Sequence, residues 1–598
     1  MSDWATIPQM VFAQAQKYRQ KPALRVKRAG AYKEITWYEL ASQVESAALG
    51  LIDLGVQPGD RVAILSESRP EWAIADLGIL SAGAVTVPIY TTLSSEEIEF
   101  ILKDAGVKIL FASSTEMMAK VLPFQESLGF KCVLFEAPYR ITGPRVWWFG
   151  ELLGLGHTTG PQMREALPEF LKNAKADDLA SIIYTSGTTG VPKGVMLTHN
   201  NFLSNCRAIA QALPIGDTDS TLSFLPLSHV FERTAGYYFV LFAGGTITYA
   251  ESIDKVGEQL PEVKPTILTA VPRFYEKLYE RVQAAIQSAS KGKQAIFHWA
   301  SRVGKRWAAR RLRGQPIPPL LALQYRLAKT LVFEKLHARM GGRLRFCISG
   351  SAPLSKDLGE FFYAAGILIL EGYGLTETSP VVSCNRPDRL RFGTVGLVVE
   401  GVQVRIADDG EILIKGPNVT RGYYNNPQAT AEAIDPDGWF HSGDIGTLDE
   451  EGFLSITDRK KDLIKTSGGK MVAPQKLEAA LKKERLIQDC VIIGDRHKYI
   501  TALIVPNLAK VEAYAKKHGL RYDSTAELLE LPEIVSLLWE SVHRVNAPLA
   551  PFEQIKKITL LPEPFSLAGG ELTPTLKVKR RVIAQRYAEK INKMYEAS

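Results

Sequence analysis

The 598-residue sequence has few cysteines and no long apolar run, and each absence excludes a class of protein. Its five cysteines lie far apart without metal-ligand spacing, so we expect reduced thiols and neither a disulfide framework nor a zinc site. The longest apolar stretch, Phe361 to Leu370, has about ten residues, far fewer than a membrane span needs. No basic segment followed by an apolar core stands at the N-terminus, so we expect no signal peptide and a cytoplasmic protein.

The charge balance gives no support to a nucleic-acid partner. The formal net charge is +8 over the whole chain, which is modest, and it suits anionic substrates or an anionic membrane surface instead. The length is too great for one hydrophobic core and predicts about three to four units of ordinary domain size.

Residues 1 to about 175 alternate helix-like and strand-like segments. The pattern predicts a helix from Trp72 to Leu80, a buried strand from Ala84 to Ile89, and a further strand from Lys108 to Ala112. A helix from Ser94 to Lys103 is predicted to open with a capping box between Ser94 and Glu97. Alternation of this kind indicates an α/β fold with a largely parallel sheet covered by helices.

The most informative string is YTSGTTGVPKG, from Tyr184 to Gly194. It follows an apolar run, Leu179 to Ile183, of the kind that ends a strand. Its glycines let backbone N–H groups face an anion, and its hydroxyls and Lys193 add donors and charge, so it predicts a polyphosphate site. It is not a Walker A loop, because Lys193 is followed by Gly194. The alternative, a mobile surface loop, suits the composition but not the length and specificity of the string.

This string resembles the phosphate-loop signature of the adenylate-forming (AMP-binding) superfamily, which includes acyl-CoA synthetases, luciferases and peptide-synthetase adenylation domains. The resemblance implies a large N-terminal domain of layered, mostly parallel sheets with helices and a barrel-like subdomain, and a small mobile α+β C-terminal domain. It implies that the N-terminal domain spans residues 1–457, that the C-terminal domain spans residues 463–598, and that a hinge at 458–462 joins them. It implies that ATP contacts Thr185, Ser186, Gly187, Thr188, Thr189 and Lys193, and that Thr185 also serves the metal.

The string LPLSHVFERTAGYY, from Leu225 to Tyr238, contains a second candidate, His229. Taken alone, His229 is a satisfied core histidine more often than a functional one. In the resembling family this motif borders the pocket for the carboxylate substrate, so both interpretations of His229, core and catalytic, stay open. The Phe-Asp pair of amino-acid-activating relatives is absent, which disfavours an amino-acid substrate. Phe231, Tyr237 and Tyr238 all remain candidates for the gate of an acyl tunnel.

Residues 283 to 335 form a basic insert with no acidic residue from Lys291 to Phe333. Helical spacing places an apolar set of residues on one face and a basic set mostly on the other. The apolar set is Ile296, Trp299, Ala300, Val303 and Trp307. The basic set is Arg302, Lys305, Arg306 and Arg313. Two interpretations stay open: a helix at an anionic membrane interface, or a helix packed on its own domain with a solvated basic face. The segment Gly314 to Pro319 is predicted to break the helix. The insert resembles the long-chain branch of the acyl-CoA synthetases.

Two further strings, SGSAP at Ser349–Pro353 and EGYGLTET at Glu371–Thr378, each follow an apolar strand-like run. Strand ends with small residues predict a ligand crevice beyond the carboxyl edge of a sheet. The resemblance implies that Tyr373 stacks on adenine, Thr376 contacts the α-phosphate and Glu377 holds Mg²⁺, a role that suits a hard carboxylate. The other nucleotide contacts that it implies are Gly350, Ser351, Ala352, Glu371, Gly372 and Gly374.

The C-terminal third carries the remaining candidates. The resemblance implies that Asp444, in WFHSGD, binds the ribose hydroxyls and that Arg459, in the hinge string DRKKD, contacts ribose or phosphate. The family often has aspartate at the hinge pivot, whereas Lys461 stands there in this sequence, so the pivot stays open. Gly468 and Gly469 resemble the segment that lines the pantetheine channel of CoA. The catalytic lysine corresponds to Lys577 in LTPTLKVKRR, with Lys579 as the alternative.

The motifs in this order are most similar to those of bacterial long-chain fatty acyl-CoA synthetases. They imply ATP- and Mg²⁺-dependent activation of a long-chain fatty acid to acyl-AMP, release of pyrophosphate, and transfer of the acyl group to CoA. An acyl-acyl-carrier-protein synthetase is the alternative within the superfamily, and an inactive acyl- or nucleotide-binding protein is the alternative outside enzymes. We expect no carrier-protein domain after Ser598 and a cytoplasmic enzyme, with peripheral membrane contact through the basic insert left open.

Overall fold

The structure is a computed structural model that describes residues 4–136, 145–159, 161–185, 191–467, 470–566, 569–572 and 578–596. The chain forms two compact units. The larger comprises Met1–Arg405, Leu413–His441 and Asp449–Leu454, and the smaller comprises Ile406–Ile412, Ser442–Leu448 and Ser455–Ser598. The strands in which the division falls are Gln403–Ile406, Glu411–Lys415, Phe440–Leu448 and Leu454–Arg459.

A seven-stranded sheet dominates the first part of the larger unit. Its strands, in spatial order, are Val146–Trp148, Lys131–Leu134, Val107–Ala112, Arg61–Leu65, Val85–Ile89, Leu179–Thr185 and Lys193–Thr198. All neighbouring strands are parallel except the last two, which pair antiparallel. The sheet is therefore largely parallel, as the alternating sequence pattern predicts.

The predicted helices and strands of this region are confirmed. The helix expected at Trp72–Leu80 spans Pro70–Ser81, and all of its residues except Glu71 are buried. The helix Ser95–Ala105 opens with the predicted capping box, since Ser94 accepts from the Glu97 N–H and the Glu97 carboxylate accepts from the Ser94 N–H. The strand predicted at Lys108–Ala112 spans Val107–Ala112.

Two smaller sheets complete the larger unit. One has the strands Ser220–Ser223, Thr246–Tyr249, Pro22–Arg28 and Ala31–Thr36, and the other has Ile267–Ala270, Phe346–Ser349, Ile369–Gly374, Val381–Cys384 and Leu397–Val398. The helices of this unit outside the insert are Ile7–Tyr18, Trp37–Asp53, Pro70–Ser81, Ser95–Ala105, Thr115–Ala119, Leu122–Leu128, Phe149–Thr158, Pro161–Asn173, His199–Ala212, Glu232–Tyr238 (a π-helix), Phe239–Phe242, Val256–Val263, Pro272–Gln287, Lys356–Ala364, Thr376–Thr378 (a 3-10 turn) and Pro427–Ala433.

The basic insert forms the helices Lys291–Leu312 and Pro319–Ala328, the π-helical turn Lys329–Phe333 and the short helix Glu334–Arg339. The predicted break between Gly314 and Pro319 is confirmed. On the first helix, Ala300 and Val303 are buried in the core, and the Trp307 ring stacks on Tyr325 with 4.2 Å between centroids. Packing on its own domain therefore holds for most of this apolar face, whereas Ile296, in its first turns, is 45% exposed. Across the described residues, no helix combines the length and the apolar character that crossing a bilayer requires.

The smaller unit has a three-stranded sheet of Ile487–Ile493, Ile500–Pro506 and Ile555–Leu560, and a two-stranded hairpin of Ile464–Lys465 and Met471–Val472. Its helices are Pro474–Leu481, Leu508–Lys517, Thr525–Glu530, Pro532–Asn546, Arg580–Arg586 and Ala588–Glu596. Its strands Ile487–Ile493 and Ile500–Pro506 pair antiparallel. All five cysteines of the chain are buried and none is bonded to another.

Candidate active site

The predicted phosphate loop leaves the seven-stranded sheet at its last two strands. Thr185 lies opposite Lys193 in the antiparallel register, so both residues stand at the open end of this hairpin. The Thr185 hydroxyl lies 3.5 Å from the Lys193 carbonyl oxygen, to which it donates. Ser186, Gly187, Thr188 and Thr189 lie outside the described residues, so their part in the prediction rests on sequence alone.

The segment Thr420–Tyr424 runs beside the outer strand of this hairpin. The Met196 N–H donates to the Gly422 carbonyl at 3.0 Å, and the Tyr424 N–H donates to the Gly194 carbonyl at 2.7 Å. Val195 and Tyr423 form an antiparallel bridge between these hydrogen bonds. The segment is therefore fixed to the strand that begins with Lys193.

The same segment also holds Glu377. The Thr420 N–H donates to the Glu377 carbonyl at 2.8 Å, and the Tyr423 hydroxyl donates to Glu377 Oε1 at 2.9 Å. Lys193 Nζ lies 5.0 Å from the centroid of the Tyr423 ring, within the range of a cation–π contact. We call Lys193, Glu377 and Tyr423 the tyrosine cluster. It joins two predicted site residues, from strings more than 180 positions apart, through a third residue.

Tyr423 is a residue whose role the sequence analysis did not assign. Burial and the negative charge of Glu377 raise the pKa of Tyr423 well above its usual value, so the hydroxyl keeps its proton and acts as a donor. The only signal in the sequence is the aromatic close of the string GPNVTRGYYN. Nothing in that string indicates which partner its tyrosines meet.

The strand Ile369–Gly374 includes all of EGYG, the first half of a string that was expected to follow the strand. Thr376 and Glu377 lie in the 3-10 turn beyond it. Gly374 is required by packing, because a Cβ there would lie 1.7 Å from the Pro380 carbonyl oxygen. The turn that carries Thr376 and Glu377 thus folds back closely on the strand that precedes it.

Glu371 supports the loop that contains SGSAP. Glu371 lies opposite Ser349 on the neighbouring parallel strand, and its Oε1 accepts from the Leu354 N–H at 2.8 Å. Burial raises the pKa of Glu371 to about 8. Ser351 has φ +68°, a left-handed conformation that is uncommon for a residue with a side chain. Glu371 is therefore placed to fix the loop that carries Gly350, Ser351 and Ala352, while Gly372 and Tyr373 follow it on the strand.

His229 directly precedes the helical residues that lead into the π-helix Glu232–Tyr238. Its Nδ1 accepts from the Phe231 N–H at 3.1 Å, so the neutral ring carries its proton on Nε2. The buried Phe231 ring lies against Gly350, where a Cβ would be 2.8 Å from ring carbon Cε2. The strings around His229 and Gly350, which were predicted to border the acyl pocket and the adenine, are therefore in direct contact.

A buried polar network anchors the π-helix Glu232–Tyr238. Arg233 and Asp76 form an ion pair with neither side chain exposed, and Arg233 also donates to Ser181 Oγ at 2.7 Å. The Tyr238 hydroxyl donates to Asp76 Oδ2 at 2.7 Å, and the Tyr237 hydroxyl donates to the Ala73 carbonyl at 3.2 Å. Both tyrosine hydroxyls are thus engaged in the core, whereas Phe231, the third gate candidate, contacts the loop of the site.

Glu232, the first residue of the π-helix, is a second buried carboxyl group with a raised pKa. Its Oε1 accepts from Ser223 Oγ at 2.6 Å, and within the described part of the chain its Oε2 has no hydrogen-bond partner. Burial raises the pKa of Glu232 to about 8. The Glu232 carboxyl is neutral below this pKa and charged above it, so it is a titratable group beside the predicted acyl pocket.

The smaller unit brings two further predicted residues together. Asp444 is buried and pairs through Oδ1 with Arg459 Nε at 3.3 Å, and the Arg459 side chain is 50% exposed. In the hinge string, Lys460 binds Asp409 at 2.6 Å and Glu411 at 2.7 Å. Gly468, Gly469 and Lys577 lie outside the described residues. The alternative lysine, Lys579, is described, and its N–H donates to the Glu571 carbonyl at 2.8 Å.

Comparison with known proteins assigns the family. The model of the AMP-binding enzyme family matches residues 11–424, and that of the AMP-binding enzyme C-terminal domain matches residues 461–598. The chain belongs to the AMP-binding enzyme family, as its motifs predicted.

The chain is similar to the long-chain-fatty-acid–CoA ligase FadD15 of Mycobacterium bovis, with 39% identity over 95% of this chain and 93% of that protein. Among solved structures it resembles ATP-bound MatB from Rhodopseudomonas palustris, with TM-score 0.69, 26% identity, and coverage of 98% of this chain and 100% of that one. It also shares the fold of the A-PCP didomain of the carboxylic acid reductase from Segniliparus rugosus in complex with AMP, with TM-score 0.76, 22% identity, and coverage of 100% of this chain and 82% of that one. The predicted fold, an α/β protein with parallel sheets, a barrel-like sheet and a separate C-terminal domain, is confirmed.

Proposed function

We propose that this protein is an AMP-forming long-chain fatty acid–CoA ligase. One structural observation carries the proposal: Lys193 of the phosphate-loop string and Glu377 of the YGLTE string both contact Tyr423. A cation and a carboxylate at the mouth of a phosphate loop are the groups that a metal-bound nucleotide requires. The near full-length similarity to a long-chain-fatty-acid–CoA ligase supports a fatty acid and CoA as the other substrates.

In the first half-reaction, a carboxylate oxygen of the fatty acid attacks the α-phosphorus of ATP. The bond from this phosphorus to the bridging oxygen breaks, and pyrophosphate leaves with the electron pair, giving acyl-AMP. Both reactants are anions, so catalysis consists of positioning and of preorganised positive charge. Lys193 and the hydroxyls of the phosphate loop bind the departing phosphates, and Thr376 contacts the α-phosphate. His229 and Phe231 border the acyl carboxylate.

The described residues fit a magnesium ion that arrives with ATP. Glu377 offers a partly buried carboxylate and Thr185 a hydroxyl, and both are hard oxygen ligands of the kind Mg²⁺ accepts beside phosphate oxygens. When bound, Mg²⁺ supplies charge neutralisation of the phosphates. The protein's own contribution is to hold the Glu377 side chain in place through Tyr423.

Each unit has residues that we propose as nucleotide contacts. In the larger unit, we propose that Tyr373 stacks on the adenine and that the loop of Gly350, Ser351 and Ala352, supported by Glu371, lies against the same base. In the smaller unit, Asp444 accepts from the ribose hydroxyls, and Arg459 contacts ribose or phosphate. Lys577 donates to the developing charge of the first half-reaction.

In the second half-reaction, the CoA thiolate attacks the acyl carbonyl carbon, and AMP leaves with the electron pair of the acyl–oxygen bond. The thiol proton passes to solvent or to a neighbouring base before attack. We propose that residues 1–457 and 463–598 act as domains about a hinge at 458–462, and that rotation removes Lys577 and presents Gly468 and Gly469 to pantetheine. Cytoplasmic location, with peripheral membrane contact through the basic insert, belongs to the same proposal.

The test is pyrophosphate release by the purified protein with a panel of fatty acids of increasing length. We expect release that depends on fatty acid, ATP and Mg²⁺, and acyl-CoA formation when CoA is added. Replacement of CoA by purified acyl carrier protein tests the alternative acceptor. If no fatty acid yields acyl-AMP, the proposed function is wrong. If only carrier protein accepts the acyl group, the proposed transfer to CoA is wrong.

A further inference from the structure

The second helix of the basic insert has one buried face and one exposed apolar face. Leu321, Ala328 and Phe333 are buried, and they attach Pro319–Ala328 and the following π-helical turn to the core. Four other leucines recur at helical spacing and are exposed: Leu320 by 68%, Leu323 by 57%, Leu327 by 50% and Leu331 by 49%. We call these four residues the leucine stripe.

The leucine stripe is unusual on this surface. Thirteen large apolar side chains are exposed among the described residues, and four of them lie within these twelve positions. The spacing from Leu320 to Leu331 covers three turns of helix, a length of about 16 Å at 1.5 Å per residue. A continuous exposed apolar face of this kind marks an interaction surface.

The charge around the leucine stripe has a single sign. From Lys291 to Phe333 the sequence has ten Lys and Arg residues and no Asp or Glu. These ten exceed the formal net charge of the whole chain, +8, so the remainder carries a slight negative charge. Arg326 and Lys329 are exposed on the same helical segment, and Glu334 is the first acidic residue after it.

The neighbouring helix Lys291–Leu312 extends this positive surface. It packs on Pro319–Ala328 through the Trp307–Tyr325 stack. Its exposed cations are Lys291, Lys293, Arg302, Lys305, Arg306 and Arg311. The tryptophan-bearing face of this helix is covered by the protein except at Ile296, so the leucine stripe belongs to the second helix and the exposed positive charge to both.

We propose that the leucine stripe docks this protein on an anionic lipid bilayer. The leucines enter the boundary between headgroups and acyl chains, and the surrounding Lys and Arg side chains bind lipid phosphates. A bilayer accepts a linear apolar ridge without a matching groove, and its negative headgroups complement the ten cations. A second copy of the chain is disfavoured because a symmetric contact would bring two sets of like charges together. The advantage of docking, access to fatty acid dissolved in the bilayer, rests on the proposed function, whereas the docking itself does not.

The test measures co-sedimentation of the full-length protein with vesicles. We expect binding to vesicles of phosphatidylglycerol with phosphatidylcholine, weak binding to phosphatidylcholine alone, and a decrease as salt is raised. The double variant Leu323→Ser with Leu327→Ser is expected to lower the partition coefficient about tenfold or more. The double variant Arg326→Glu with Lys329→Glu is expected to lower binding to anionic vesicles without changing the weak binding to phosphatidylcholine.

The matched control is Tyr38→Ser with Ile253→Ser, which removes two other exposed apolar side chains and is expected to bind vesicles like the unsubstituted protein. Equal binding by the control and the leucine variant would overturn the proposal, as would absence of binding to anionic vesicles. Binding of the leucine stripe to purified acyl carrier protein in preference to vesicles would also overturn it. Pyrophosphate release from a short, water-soluble fatty acid without vesicles tests the enzyme separately, so failure of catalysis and failure of docking are distinguishable.

Discussion

In the larger unit, Glu377 is held by the Tyr423 hydroxyl and by a backbone hydrogen bond from Thr420. In the smaller unit, Asp444 instead faces the half-exposed guanidinium of Arg459 across 3.3 Å. A hydrogen bond to a charged group in a partly buried site contributes about 1.5–3 kcal/mol. The guanidinium of Arg459 is half exposed, so water and salt compete with Asp444 for it, although Asp444 itself is buried.

The two carboxylates therefore differ in how firmly their surroundings hold them. Glu377 is preorganised, so little reorganisation is needed when a charged ligand arrives. Because half of the Arg459 side chain already faces water, we propose that Arg459 turns from Asp444 toward a ribose or phosphate, and that the ribose hydroxyls are bound by Asp444. We infer that the larger unit supplies fixed electrostatics and the smaller unit supplies groups that exchange partners during the reaction.

The largest effect is expected from the smaller unit. Lys577→Ala removes a donor proposed to act only in adenylation, and we expect pyrophosphate release to fall by about 10²–10³. Thioester formation from supplied acyl-AMP and CoA is expected to stay unchanged. Measurement of both half-reactions checks the prediction, with Lys579→Ala as the matched control. Equal loss in both half-reactions would contradict the assignment of Lys577 to adenylation alone. A larger effect of Lys579→Ala would assign the catalytic role to Lys579 instead.

In the larger unit, Glu377→Gln is expected to lower kcat/KM for ATP by about 10², a loss at the lower end of that found for a fixed electrostatic group. The amide keeps the shape of the side chain but removes its negative charge, so the Mg²⁺ concentration needed for half-maximal activity is expected to rise. Titration of activity with Mg²⁺ measures this shift. Mg²⁺ dependence like that of the unsubstituted enzyme would remove Glu377 from the metal site.

Tyr423→Phe tests the preorganisation itself. Loss of one hydrogen bond to a charged group is expected to lower kcat/KM for ATP about tenfold. In the Glu377→Gln background, the same change is expected to cost less, because the two residues act as a unit. Tyr424→Phe is the matched control, since it removes the neighbouring hydroxyl. Additive effects of Tyr423→Phe and Glu377→Gln would show that Glu377 does not depend on the tyrosine.

The sequence predicted the elements with strong local signals. The capping box of Ser94 and Glu97 involves residues three positions apart, and the apolar period of Pro70–Ser81 is set within one helix, so local chemistry decides both. The motif residues Lys193 and Glu377 were chosen as candidates because the strings around them are long and specific, and both contact Tyr423 in the structure.

What the sequence did not predict depends on pairing between distant segments. Tyr423 meets Lys193 and Glu377 only after three segments have packed together, and no local pattern carries that information. Asp76 left a weak signal, a carboxylate in the middle of a mostly apolar helix, but its partner Arg233 lies 157 positions away. The basic insert has two apolar faces, and only packing decides that most of the tryptophan-bearing face is covered and that the leucine stripe is exposed.

The smallest effect is expected in the pH dependence of stability, and it concerns the fixed electrostatics of the larger unit. Burial raises the pKa of Glu232 and of Glu371 to about 8, whereas an unfolded glutamate has a pKa of about 4.3. Between these values the folded protein holds protons that the unfolded chain has lost. The free energy of unfolding therefore falls as pH rises through this window, with a slope of up to about 1.4 kcal/mol per pH unit for each group.

Glu232→Gln and Glu371→Gln remove the titration, so each is expected to flatten the decline of the melting temperature between pH 5 and pH 8. The slope, and not the absolute stability, is the quantity to compare, because a buried amide changes the hydrogen bonding as well. Glu371→Gln is also expected to alter ATP binding, since Glu371 supports the loop of Gly350 through the Leu354 N–H. Exposed Glu450→Gln serves as the control. A slope unchanged in both variants would mean that these carboxylates ionise in the folded core as readily as in water, which their burial opposes.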